Sequence, residues 1–148
     1  MLSSPPISSL DSLESHLSKT TTPLYYILLE SLALLSLELD HIASHLSLCM
    51  GIVTTLRGIP IRLKHNELAL PLDICAKHKL VQEAVFRQGP NAAGFKDVIF
   101  DVATRANDHL TTARQYIEDM RTRNLSLLDA AFCVFLSAVP FPGVSNVV

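Results

Sequence analysis

The stretch IFDVATRANDHLTTARQYIEDM, Ile99 to Met120, decides the fold. Its residues Ile99, Ala103, Ala106, Leu110, Ala113, Ile117 and Met120 recur at alternating steps of four and three. That spacing puts them on one face of a long helix. The alanines on this face let a neighbouring helix come close. Asp101 and Arg105 stand one turn apart on its side and are expected to pair, a contact worth about 0.3–0.5 kcal/mol. Outside this stretch no run of residues calls for a β-sheet, so the chain reads as all-α.

Working outward, Leu10 to Leu17 suits a short helix opening at Ser9 or Asp11. Thr20-Thr21-Thr22-Pro23 then reads as a helix start, with Thr22 as cap and Pro23 at the first helical position. From Leu24 to Met50 there is neither Gly nor Pro, and residues 24–39 hold eight leucines spread around the helical circumference. A helix apolar all round is buried on several sides or lies in a membrane. Glu30, Glu38, Asp40 and His41 interrupt the roughly 20 uncharged residues that a span requires. A central bundle helix is the better reading. Its stripe continues through Ile42, Leu46, Cys49, Val53 and Leu56, and Gly58 and Pro60 are expected to end it.

Residues 59–72 read as a loop with an extended stretch, Leu68 to Leu72. Asp73 is expected to cap a short helix reaching Leu80, and Val81 to Arg87 form another. Gln88-Gly89-Pro90-Asn91 is turn chemistry. Ser126 and Asp129 resemble a capping box for a last helix, Leu127 to Val139, stopped by Pro140 and Pro142. The organisation is therefore a poorly ordered segment over 1–22, a helical domain over 23–139 and a tail over 140–148.

Composition bounds the function. The chain has 148 residues, one domain's worth, with 49% hydrophobic and 18% charged residues and a mean hydropathy of +0.32. It is too apolar for disorder. Twelve Lys+Arg against fourteen Asp+Glu give a net charge of −2, which argues against nucleic-acid binding. Cys49, Cys75 and Cys133 are an odd number without a close pair, so neither a disulfide framework nor a Cys-based zinc site is expected. The N-terminus has no charged region followed by an apolar one, and no arginine precedes Arg57, so neither a secretory signal nor a transit peptide is visible.

Two constellations could carry chemistry. His41 and His45 are four apart, as two zinc ligands on a helix are. Ile42 stands where a metalloprotease needs Glu, and no third ligand has convincing spacing, so packing or surface histidines are the better reading. Asp97 and Asp101 form D-x-x-x-D, two carboxylates a turn apart that could hold Mg²⁺ against a diphosphate. Lys96 and Arg105 are their nearby neutralising partners, and Asp97 in a first turn also suits the helix dipole. Nucleotide loops and nucleophile elbows are absent from the sequence.

Three ordered blocks give the chain a family likeness. They are Gly51-Ile-Val-Thr-Thr-Leu-Arg-Gly-Ile-Pro60, Leu68-Ala-Leu-Pro-Leu-Asp-Ile-Cys-Ala-Lys-His78, and Asp97-Val-Ile-Phe-Asp-Val-Ala with Ala106-Asn-Asp-His-Leu-Thr-Thr-Ala-Arg114. Together they resemble the squalene/phytoene synthase family over residues 24–139, and within it the non-carotenogenic mitochondrial branch of complex I assembly factors. The resemblance implies a helical bundle of the isoprenoid synthase type. In the active enzymes of that family, two Asp-rich motifs on facing helices bind prenyl diphosphates through Mg²⁺. Laid onto this chain, the Gln of the second motif falls on Gly51 and its Asn on Thr54. Arg57 is kept, and the two Asp positions become Gly58 and Arg62. Neither replacement coordinates Mg²⁺, and Arg62 repels it. Before residue 24 the chain offers only Asp11 and Glu14 in a Ser-rich stretch.

The resemblance thus implies a non-catalytic protein of complex I assembly, without catalytic residues, metal or other cofactor. Its implied partners are complex I subunits or other assembly factors. Its implied location is the matrix side of the mitochondrial inner membrane, with peripheral membrane contact possible by that route. Family members are longer, with helices before Leu24 and after Val139, so an incomplete bundle from a truncated or degenerate member is expected. Two alternatives remain: a prenyl transferase using Mg²⁺ on Asp97 and Asp101, and a fragment without independent function.

Overall fold

The structure, a computed structural model, describes residues 7–136. Among them it contains helices and no strand. In chain order these are α1 (Leu10–Thr20), α2 (Thr22–Ser31), α3 (Leu37–Leu63), α4 (Leu72–Lys77), α5 (Gln82–Gln88), a 3₁₀ turn (Gly89–Asn91), α6 (Phe95–Arg123) and α7 (Leu125–Phe135). The expected tail over 140–148 and the end of the last helix at Val139 lie outside the described residues.

α3 and α6 are the two long helices and form the main pair of the bundle. Contacts of His45 with His109 and of Glu38 with Arg123 set them antiparallel. The stripe read from Ile99 to Met120 faces this seam. Ala103, Ala106, Ala113 and Met120 are buried, while Ile99, Leu110 and Ile117 are half-buried. Val98 and Val102 widen the face and are fully enclosed.

Two apolar clusters make up the core. One gathers Leu13 and Leu17 of α1, Cys49, Ile52, Val53 and Leu56 of α3, and Val98, Val102 and Ala106 of α6, closed by α4 and α5. The other gathers Tyr25 and Leu29 of α2, Leu39, Ile42 and Leu46 of α3, Ala113 and Met120 of α6, and α7. Leu110 packs against both.

The single helix expected from Leu24 onward is two. α2 ends in a Schellman motif: Leu34 N–H reaches Leu29 O at 3.0 Å and Ala33 N–H reaches Glu30 O at 2.9 Å. Ala33 takes the left-handed turn position at φ 57°, where glycine is usual. α3 then restarts after Ser36 and runs through Gly58 and Pro60 to Leu63. Pro60 falls one turn from the end, where few bonds remain to be broken, and buried Ile59 anchors that turn to the core.

The poorly ordered segment expected over 1–22 gives way at residues 10–20, which form α1. Ser9 caps it, accepting the Ser12 N–H at 3.1 Å, and Leu13 and Leu17 bury its inner face. Thr22 is no cap. Its hydroxyl bonds Ser47 Oγ at 2.7 Å inside the protein. Asp73 lies in the first turn of α4 and accepts the Leu10 N–H at 3.3 Å, tying α1 to α4. The last helix opens on Asn124, whose side chain accepts the Leu127 N–H at 3.3 Å, so Ser126 and Asp129 form no capping box.

Candidate functional site

A cavity of about 750 Å³ lies between α1, the start of α2, the middle of α3 and the loop after it. Leu13, Leu17, Tyr25, Met50, Leu68 and Ala69 form its apolar wall. Its polar lining comes from Ser12, His16, Thr54, Thr55, Arg62, Asn66, Glu67 and Gln82. The volume falls in the usual range of small-molecule sites.

Of the motif positions that the resemblance marks, Thr54 and Arg62 line this cavity, and the kept Arg57 and Gly58 lie on the same helix outside the lining. Gly51 also borders it. A Cβ on Gly51 would stand 2.5 Å from Leu17 Cδ2 and 2.9 Å from Cδ1. Leu17 of α1 therefore occupies the space into which a larger residue on α3 would project.

Mg²⁺ bridging a diphosphate needs several hard oxygen ligands, carboxylates foremost. Among the described lining residues Glu67 is the sole carboxylate, and Arg62 brings a cation to the same space. The donor set does not fit a magnesium–diphosphate group.

Asp97 and Asp101 lie on α6 and do not line the cavity. Asp97 is exposed. Asp101 Oδ2 accepts from Lys77 Nζ at 2.7 Å and His78 Nε2 at 2.8 Å. These bonds, His78's first, hold its carboxyl below the usual range. Asp101 thus docks α4 onto α6. It does not pair with Arg105 as the i,i+4 spacing suggests, because Lys77 at the end of α4 and His78 just after it supply two donors.

Arg105 goes to α1 instead. Its guanidinium grips Glu14 through Nε–Oε1 and through Nη2–Oε2 at 3.1 Å. His109, one turn on, donates Nε2–H to Glu14 Oε1 at 3.0 Å. Its Nδ1 lies 3.0 Å from Nδ1 of His45 on α3. Burial pushes the Glu14 carboxyl up, but the bonds from Arg105 and His109 outweigh it and leave the group below its ordinary value. Burial, then the neighbouring His109 and His41, push His45 down.

Of the histidine pair read from the sequence, His45 joins this network. His41 stacks on Tyr116 with ring centroids 5.8 Å apart. No group of three or more metal-ligating side chains assembles among the described residues. All three cysteines are free thiols, and burial raises Cys49 and Cys75. Sequence reasoning missed the network because Glu14 lies 91 residues from Arg105. The one available signal is the matched i,i+4 spacing of Arg105–His109 and His41–His45 on the two long helices.

α3 is long and apolar enough to cross a membrane, but 61% of its most apolar window is buried inside the bundle. The outer face of α2 and the turn after it are uncovered: Leu24, Ile27, Leu28, Leu32, Leu35 and Leu37 are all exposed, Leu35 by 82%.

With this architecture in place, the squalene/phytoene synthase family profile matches residues 2–139. The chain belongs to that family, and its fold is the helical, isoprenoid synthase type. Its curated relatives include the mouse NADH dehydrogenase (ubiquinone) complex I, assembly factor 6, 34% identical over 131 residues, which are 88% of this chain and 37% of the relative. The human protein of the same name is 35% identical over 127 residues, 86% of this chain and 36% of the relative. The Drosophila melanogaster homolog is 39% identical over 107 residues, 72% and 32% of the two chains. The chain therefore spans little more than a third of the length of these relatives. No solved structure matches it.

Proposed function

We propose that this chain is a non-catalytic member of its family that acts in assembly of mitochondrial respiratory complex I, as its relatives are named for. One observation carries the non-catalytic part: the cavity presents Arg62 and a lone carboxylate, Glu67, where diphosphate chemistry needs paired acids. The protein works without a metal or other cofactor. It binds complex I subunits or other assembly factors through helix faces. The uncovered leucines of α2 support such contacts, since large exposed apolar patches mark interfaces. Its place is the matrix side of the inner membrane, with peripheral membrane contact through the same apolar face.

The prenyl transferase alternative gains nothing from Asp97 and Asp101, because Asp101 is engaged by α4 and both stand away from the cavity. Depleting the protein in its own cells and resolving respiratory complexes on native gels tests the proposal. Loss of assembled complex I, with the other complexes retained, is the expected result. Unchanged complex I would overturn it.

A further inference from the structure

We propose that the cavity binds a single-chain fatty carboxylate without a metal, its head on Arg62 and its chain along the wall built by α1. This rests on the non-catalytic reading above and adds to it a class of ligand. The shape comes from two helices. α3 supplies Gly51, Thr55 and Arg62 to the lining, at steps of four and seven that keep them on one side of the helix. At about 1.5 Å per residue they span about 17 Å. α1 runs alongside in the opposite sense. Its Leu17 meets Gly51, while Ile7, just before its start, accepts the Leu72 N–H at 3.0 Å, beyond the end of α3. The cavity is therefore a slot, long for its volume of about 750 Å³. An extended chain suits it better than a ring system does.

The slot is polarised along its length. Leu17 and Met50 lie at its Gly51 end, and Tyr25 joins them because the Thr22–Ser47 bond sets the start of α2 beside that part of α3. Arg62, Asn66 and Glu67 lie at the other end, with Leu68 and Ala69 carrying apolar surface up to them. Arg87, Arg105, Arg121 and Arg123 each pair with a carboxylate of the chain. Arg62 forms no ion pair and no side-chain hydrogen bond among the described residues. A ligand carboxylate matches its guanidinium with two parallel bonds.

Charge limits the head. Glu67 stands in the same lining, and its N–H bonds Arg62 O at 3.0 Å, which keeps the two residues together. One cation beside one anion accepts a monoanion, whereas a second negative charge on the ligand meets Glu67. This separates a carboxylate from a phosphate monoester as well as from a diphosphate.

Titration calorimetry of the whole chain with laurate, kept below its micelle concentration, tests the proposal. Saturable binding at one site, equal with and without Mg²⁺, is expected. Decanoate, two methylenes shorter, should bind about tenfold more weakly. Dodecyl phosphate, dianionic at about pH 8, should also bind more weakly than laurate. Arg62→Gln should weaken laurate about tenfold and leave dodecanol unchanged. Thr54→Phe, at an exposed position of the lining, should fill the slot and abolish both. The ligand series on the wild type answers even if a variant does not fold. Tighter binding of dodecyl phosphate than of laurate, or laurate binding indifferent to both substitutions, would overturn the proposal. Absence of saturable laurate binding would overturn it too, while leaving the non-catalytic reading standing. Mg²⁺-dependent pyrophosphate release from a prenyl diphosphate would overturn both.

Discussion

Glu14 on α1 and Arg105 on α6 form a two-pronged ion pair across 91 residues of sequence. Most of the Glu14 side chain is enclosed, with 15% exposed. Replacing Glu14 with Ala strands the guanidinium and the His109 ring beside a core of Leu13 and Leu17. The expected cost is about 1–3 kcal/mol, read as a lower urea midpoint at unchanged slope.

The same carboxylate sets an acid limit. Because its pKa in the fold lies below the ordinary value, its contribution is complete above about pH 4.3 and is lost as pH falls through the depressed value. Glu14→Gln should flatten that part of the stability curve. Circular dichroism melts at stepped pH measure it.

Gly51 sits so close to Leu17 that an added methyl group overlaps it. Gly51→Ala is expected to cost about 1–3 kcal/mol by overpacking. Pairing it with Leu17→Ala should cost less than the two singles combined, since each then fills the space the other leaves. A double-mutant cycle in urea checks the coupling.

Asp101 joins α4 to α6 through Lys77 and His78. Asp101→Asn should loosen α4 by about 1 kcal/mol or less, because the pair is partly exposed and salt screens it. Asp97→Asn with Asp101→Asn should leave the response of the melting temperature to Mg²⁺ unchanged. A Mg²⁺-dependent shift abolished by the double change would return these residues to a metal role.

The fold was legible where one helix face repeats over many turns. The stripe from Ile99 to Met120 faces the α3 seam because nothing interrupts its period. The break between α2 and α3 was hidden, since Ala33 gives no sign of the left-handed turn it adopts. Pro60 misled in the opposite direction: a proline near a helix end costs little when the residue beside it, Ile59, is buried. At the site, Thr54 and Arg62, two positions that the resemblance marks, line the cavity, while Gly58 does not. The wall that α1 builds over Gly51 could not be read from the sequence, because it depends on contacts between distant segments. Glu14 looked unremarkable within a Ser-rich stretch for the same reason.

The central claim is that the cavity has no metal-dependent diphosphate chemistry. The most direct measurement incubates the purified chain with prenyl diphosphates and Mg²⁺ and follows pyrophosphate release. The account predicts release at the rate of the protein-free control, with and without Mg²⁺. Saturable, Mg²⁺-dependent release that Arg62→Ala alters would contradict it.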